Sequence, residues 1–196
     1  MGQKLKKYAL WFLTSGIWAP FLIIALDQWS KYAVVGWFDK NGWEVGHMQP
    51  IINNFWYIKL QYNPGMAFSW LENYQPLLAA ISMIAAVGFI SYLVWKWKKL
   101  KPIYRYILLM VIGGDIGNGI DRMISSKGVI DFMFFPFFPY CFNVADAFLT
   151  VSILLLAVLL IIDEVKEAKK KKQIINEEIA KQNEEENHGD EDHRNG

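Results

Sequence analysis

The chain has 196 residues, of which 54% are hydrophobic, 16% aromatic and 20% charged, with a formal net charge of +1. Long uncharged stretches alternate with short lysine-rich ones, a pattern that marks a membrane protein. The single cysteine excludes an intramolecular disulfide, and the three histidines leave no partners for a serine–histidine triad or an HExxH zinc site.

Lys4, Lys6 and Lys7 precede the first uncharged run, Tyr8 to Leu26. It is close to the roughly 20 residues needed to cross about 30 Å of hydrocarbon. It also exceeds the h-region of a cleaved signal peptide, so it is expected to stay attached. Asp27 and Lys31 follow at its outer end, four residues apart and able to form a helical ion pair. Trp37, Phe38 and Trp43 suit the headgroup zone; they predict either an ordinary aromatic belt or a lid over a substrate. Asn54 to Tyr62 reads as a short strand, and Asn63 then precedes a Pro-Gly turn at Pro64 and Gly65.

Pro76 to Val94 is a second span, and Lys96, Lys98, Lys99, Lys101 and Arg105 fill the link that follows. Pro102 to Ile120 is the third, although Arg105 and Asp115 interrupt it, because the chain must cross there to keep the basic segments on one side. Phe142 to Ile162 is the fourth, with Asp146 near its start, and Lys166 and Lys169 to Lys172 lie beyond it. The positive-inside rule then places both termini in the cytoplasm. It turns Asp27 to Gln75 and Asp121 to Ala145 outward. Residues 163–196 form a separate, net acidic unit, expected to continue as a charged helix to Ile179 and to be disordered from Gln182 onward.

Two carboxylates stand out. Asp131 lies in the apolar loop Gly-Val-Ile-Asp-Phe-Met-Phe-Phe, and Asp146 at the start of the fourth span. Removing an ionised carboxylate from water costs several kcal/mol unless it is paired or protonated, so the pair is the candidate active site. Asn143 reads as a helix N-cap, with Asp146 three residues on, where the helix dipole favours its ionised form. Asp131, hemmed by Ile130, Phe132, Met133 and Phe134, is expected to have its pKa raised by desolvation and to serve as the protonated acid. In Gly-Gly-Asp-Ile-Gly-Asn-Gly-Ile-Asp-Arg, helical spacing puts Asp115, Asn118 and Arg122 on one face, while the glycines allow a close helix neighbour. Arg122 either points at the site or merely pairs with Asp115 or Asp121. Cys141 lacks a nearby histidine base and is not expected to be a nucleophile.

Taken in order, DQWSK from Asp27, NPGMAFS from Asn63, GGDIGNGIDR from Gly113, VIDF around Asp131 and FNVAD around Asp146 resemble the lipoprotein signal peptidase family, also called signal peptidase II. The resemblance covers about Asp27 to Leu156. It implies four transmembrane helices with a small extracytoplasmic β-rich segment between the first two. It further implies an aspartic endopeptidase that cleaves prolipoproteins before a diacylglyceryl-modified cysteine, with Asp131 and Asp146 catalytic. By the same resemblance Asn63, Gly65, Asn118, Arg122 and Asn143 bind substrate or hold the aspartates, and Asp27 and Lys31 are structural. One departure is Asp115, where the family usually has a small apolar residue.

Domain 1–162 is therefore expected to be the membrane peptidase and 163–196 a charged cytoplasmic tail. The expected partners are a diacylated prolipoprotein and membrane lipids; no cofactor, metal or nucleic acid is expected, and the chain is taken as a monomer of the bacterial cytoplasmic membrane. A proton relay through Asp115, Asp131 and Asp146 would also explain intramembrane acids. It would not explain the ordered outward motifs, nor the almost wholly apolar Ile153 to Ile162 and Met83 to Val94. A non-catalytic scaffold would tolerate loss of either aspartate.

Overall fold

The computed structural model describes residues 2–65 and 74–194. Met66 to Ser69 of the Asn63 motif lie outside the described residues. Among the described residues, five helices and four strands run in the order α1 (Gly2–Ser15), α2 (Ala19–Asn41), β1 (Met48–Ile52), β2 (Trp56–Asn63), α3 (Gln75–Lys96), α4 (Pro102–Ile124), β3 (Val129–Phe134), β4 (Cys141–Phe142) and α5 (Val144–Arg194). Proline stands in the first turn of α2, α3 and α4, where its missing N–H has no intrahelical partner to lose. The chain forms two units, residues 1–154 and residues 155–196. The second is the continuation of α5, helical through to Arg194.

The run expected to be one span from Tyr8 to Leu26 is broken. Helix α1 ends at Ser15, Gly16 takes a positive φ of 76°, and α2 leaves at 60° to α1. Helix α2 then continues well past Leu26 to Asn41, carrying Asp27 and Lys31 within it. Helix α3 and the Val144–Glu177 part of α5 are long and apolar enough to cross a membrane, and the bent α1–α2 pair is a third candidate. Ile84, Val87 and Trp95 on α3 are more than 60% exposed, as lipid-facing side chains should be. Helix α4 is not in that set. It packs between α2 and α3 and buries Ile107, Leu109, Ile112, Gly113, Gly114, Gly117, Asn118 and Asp121, so its polar residues meet other helices.

The glycines set how closely those helices approach. A methyl group on Gly113 would lie 3.0 Å from Pro20 Cα of α2, and one on Gly114 would lie 2.8 Å from the Ala145 carbonyl oxygen of α5. On Gly119 it would strike Met83 of α3.

The four strands form one antiparallel sheet in the order β1-β2-β3-β4. It therefore recruits chain from after α4 as well as from between α2 and α3, and Asp131 lies on a strand where a loop was expected. The reason is the continuous burial of Val129 to Phe132, a short apolar run that sequence cannot distinguish from a buried loop. Ile58, Leu60, Ile130 and Phe132 pack on Phe38, which is fully buried, with Trp37 and Trp43 against them. These aromatics bind the end of α2 to the sheet as part of its core.

Candidate active site

Strand pairing places the first half of the site. Gln61 lies opposite Asp131, and Asn63 opposite Val129, so Asn63 is a same-face diagonal neighbour of Asp131. Gly128 makes the alignment possible: its φ is 91°, and any side chain there would collide with the Asn63 carbonyl. Asn63 Nδ2 donates to Asp131 Oδ2 at 3.0 Å, and its Oδ1 accepts from the Gly65 N–H at 2.9 Å.

The start of α5 places the second half. The Asp146 N–H donates to Asn143 Oδ1 at 2.9 Å, and the Asn143 N–H donates to Asp146 Oδ2 at 3.3 Å. This reciprocal pair is a capping box with aspartate in place of glutamate. It leaves the Asn143 amide nitrogen facing the other way, where it donates to Asp131 Oδ1 at 2.7 Å and also lies 3.0 Å from Asn118 Oδ1. Asn118 Nδ2 in turn donates to Asp146 Oδ1 at 2.7 Å.

Lys31 fixes that network from below. It is fully buried, 2.7 Å from Asp27 Oδ2 and 2.8 Å from Asp121 Oδ2, and its Nζ donates to Asn118 Oδ1 at 3.0 Å. An ammonium can only donate, so Asn118 must turn its oxygen to Lys31 and its NH₂ to Asp146. The expected Asp27–Lys31 pair is thus present, but as part of a larger buried cluster. Asp121, which sequence reading considered only as a partner for Arg122, pairs with Lys31. It also accepts from Gln28 Nε2 at 2.9 Å and from the Ile130 N–H at 3.1 Å, tying α4 to α2 and to β3. Asp27 Oδ1 accepts from the Ala145 N–H at 2.9 Å, tying α2 to the first turn of α5.

Asp131 and Asp146 open on one cavity of about 640 Å³, walled by Phe138, Pro139, Tyr140, Phe142, Leu149 and Ile153. Burial, and then the Asp146 charge, push the Asp131 carboxyl up to about 7, against the opposing pull of Asn63, Asn143 and Lys31. Near neutral pH the Asp131 carboxyl is therefore protonated for a substantial part of the time. Arg122, half-buried, lies in the field of Asp146, Asp115, Asp131 and Asp121, and its Nε has no hydrogen-bond partner among the described residues. Asp115 faces Ser82 and Arg122 between α3 and α4. Cys141 lines the cavity, but burial raises its thiol pKa, which disfavours the thiolate a nucleophile needs. Sequence reading missed Gln28, and missed the tie of Asp121 to Lys31, Gln28 and Ile130, because these partners come from other elements.

Two carboxyls opening on one cavity, one of them pushed toward neutral pKa by burial and by the other's charge, are what aspartic peptidase chemistry requires. The family described as Signal peptidase (SPase) II matches residues 19–162, and the chain belongs to it. It is thus an aspartic peptidase of signal peptides. Among similar proteins, the lipoprotein signal peptidase of Anoxybacillus flavithermus is 36% identical over 142 residues, covering 69% of this chain and 79% of that one. That of Caldanaerobacter subterraneus is 36% identical over 136 residues, covering 68% and 87%. A solved bacterial membrane enzyme, determined by the in meso method at 2.3 Å, shares the fold with a TM-score of 0.64 at 24% identity, covering 78% of this chain and 90% of that one.

Proposed function

We propose that Asp131 and Asp146 are the catalytic dyad of a membrane endopeptidase that cuts prolipoproteins just before the diacylglyceryl-modified cysteine. The observation that carries this reading is the shared cavity, in which Asn143 and Asn63 hold Asp131 while Asn118 holds Asp146. Asp146, at a helix N-terminus and accepting two N–H bonds, is the base that takes a proton from the attacking water. Asp131, protonated near neutrality, donates to the oxygen of the scissile carbonyl as the tetrahedral intermediate forms. Collapse of the intermediate breaks the C–N bond and expels the amine of the lipidated cysteine, which leaves with the proton that Asp146 acquired, while a hydroxyl of the intermediate returns its proton to Asp131.

Asn118 and Asn143 have their amides committed to the dyad and serve to position it. Arg122, with a donor to spare beside the carboxylates, and Asn63 and Gly65 at the end of β2 are the groups that hold the substrate backbone. The lipid on the substrate cysteine keeps the scissile bond at fixed depth, which lowers the entropic cost of alignment.

The protein is a bacterial membrane protein, and four spans with both termini cytoplasmic and the dyad outward fit the distribution of lysines. Helix α4 serves as the third span because α2 and α3 shield its polar face. In this reading 1–162 is the peptidase domain, acting as a monomer among membrane lipids without nucleic acid, and 163–196 a charged cytoplasmic tail. Mass spectrometry of the products tests the specificity. A diacylated prolipoprotein should be cut only before the modified cysteine, and the unmodified precursor should be cut at least tenfold more slowly. Equal rates, or cleavage elsewhere, would contradict it.

A further inference from the structure

At the end of the bundle remote from the sheet, a second cavity of about 620 Å³ opens between α1, α2, α3 and α4. Its lining, which includes Trp11, Phe21, Ile24, Leu93, Trp97 and Ile112, is almost wholly apolar. The break at Gly16 creates it, since turning α2 away from α1 leaves a gap that a straight helix would have closed. One cation adjoins this lining directly: the Arg105 guanidinium lies over the Trp97 ring at 4.9 Å, and its buried Nε has no hydrogen-bond partner among the described residues. Lys96 ends α3 next to Trp97, and Lys98, Lys99 and Lys101 follow in the link to α4.

We infer that this groove holds one anionic glycerophospholipid, an acyl chain along Trp11, Ile24 and Leu93 and the phosphate at Arg105. An apolar slot with a cationic rim fits a lipid whose charge and chains sit at those relative depths. A guanidinium with an unused, partly buried donor fits phosphate better than it fits bulk water. The signal peptide, also apolar and membrane-spanning, is the wrong occupant: its n-region is positively charged and would meet the Arg105 guanidinium beside the lysine-rich link. The groove is distinct from the dyad cavity, with which it shares no lining residue.

Native mass spectrometry of the full chain, released from nanodiscs of equal parts phosphatidylglycerol and phosphatidylcholine, tests this. The wild type should retain one phosphatidylglycerol roughly fivefold over phosphatidylcholine, about the worth of one cation at an anionic lipid. Arg105→Gln should reduce that preference to near parity. Ile90→Trp, which fills the groove from its exposed rim, should release the lipid without lowering the unfolding temperature. Equal retention of the two lipids by the wild type, an unchanged preference in Arg105→Gln, or displacement of the lipid by an equimolar synthetic signal peptide would overturn the proposal.

Discussion

The amide of Asn118 can face only one way, and both aspartates depend on it. Its oxygen accepts from Lys31 and Asn143, and its nitrogen donates to Asp146. Lys31→Met leaves Asp27 and Asp121 buried without their cation, and removing one partner of such a cluster costs about 3–5 kcal/mol. The expected result is a sharply lower unfolding temperature in detergent, together with lower activity in whatever fraction stays folded. A second expectation concerns Asp131, whose carboxyl is pushed by burial and by the Asp146 charge up to about 7 in the folded protein from its usual value of 3.8. Between those values the folded state binds more protons, so stability falls as pH rises from about 4 to 7. Activity that needs the proton on Asp131 should fall above about pH 7. Asp131→Asn should flatten the stability slope across this interval; an unchanged slope would remove the carboxyl as its source.

Among the elements, α4 carries the most constraint. Gly114→Ala would drive a methyl group to 2.8 Å from the Ala145 carbonyl, in the turn that bears Asp146. We expect a loss of about 1–3 kcal/mol, the usual cost of overpacking, and a fall in activity as the turn shifts. Gly36→Ala on α2 meets nothing within 4 Å and should be neutral or slightly stabilising, which makes it the control in the same thermal unfolding assay. The two glycines look alike in sequence. What was legible there followed from local spacing: Asp27 to Lys31 at one helical turn, Asn143 to Asp146 as a cap, and Asn54 to Tyr62 as a strand. What was not legible depends on long-range partners. Gln28 and Asp121 meet only because α2 packs on α4, and Val129 to Phe134 becomes a strand only because β2 is there to pair with it.

At the scale of the whole molecule, the sheet and the basic turn lie at opposite ends of the helices, so membrane orientation should separate them. A cysteine replacing Lys127, in a chain with Cys141→Ser, should react with a membrane-impermeant maleimide in intact cells whose outer face is accessible. One replacing Lys98 should react only after the membrane is opened. The reverse pattern would invert the topology. The proton shared by Asp131 and Asp146 is the claim on which the rest depends. Its most direct test is a gel-shift assay of purified diacylated prolipoprotein with the wild type, Asp131→Asn and Asp146→Asn, each verified to be folded and inserted. The account predicts cleavage by the wild type and none by either variant. Cleavage by both variants, at rates near that of the wild type, would show that these carboxyls are not the catalytic pair.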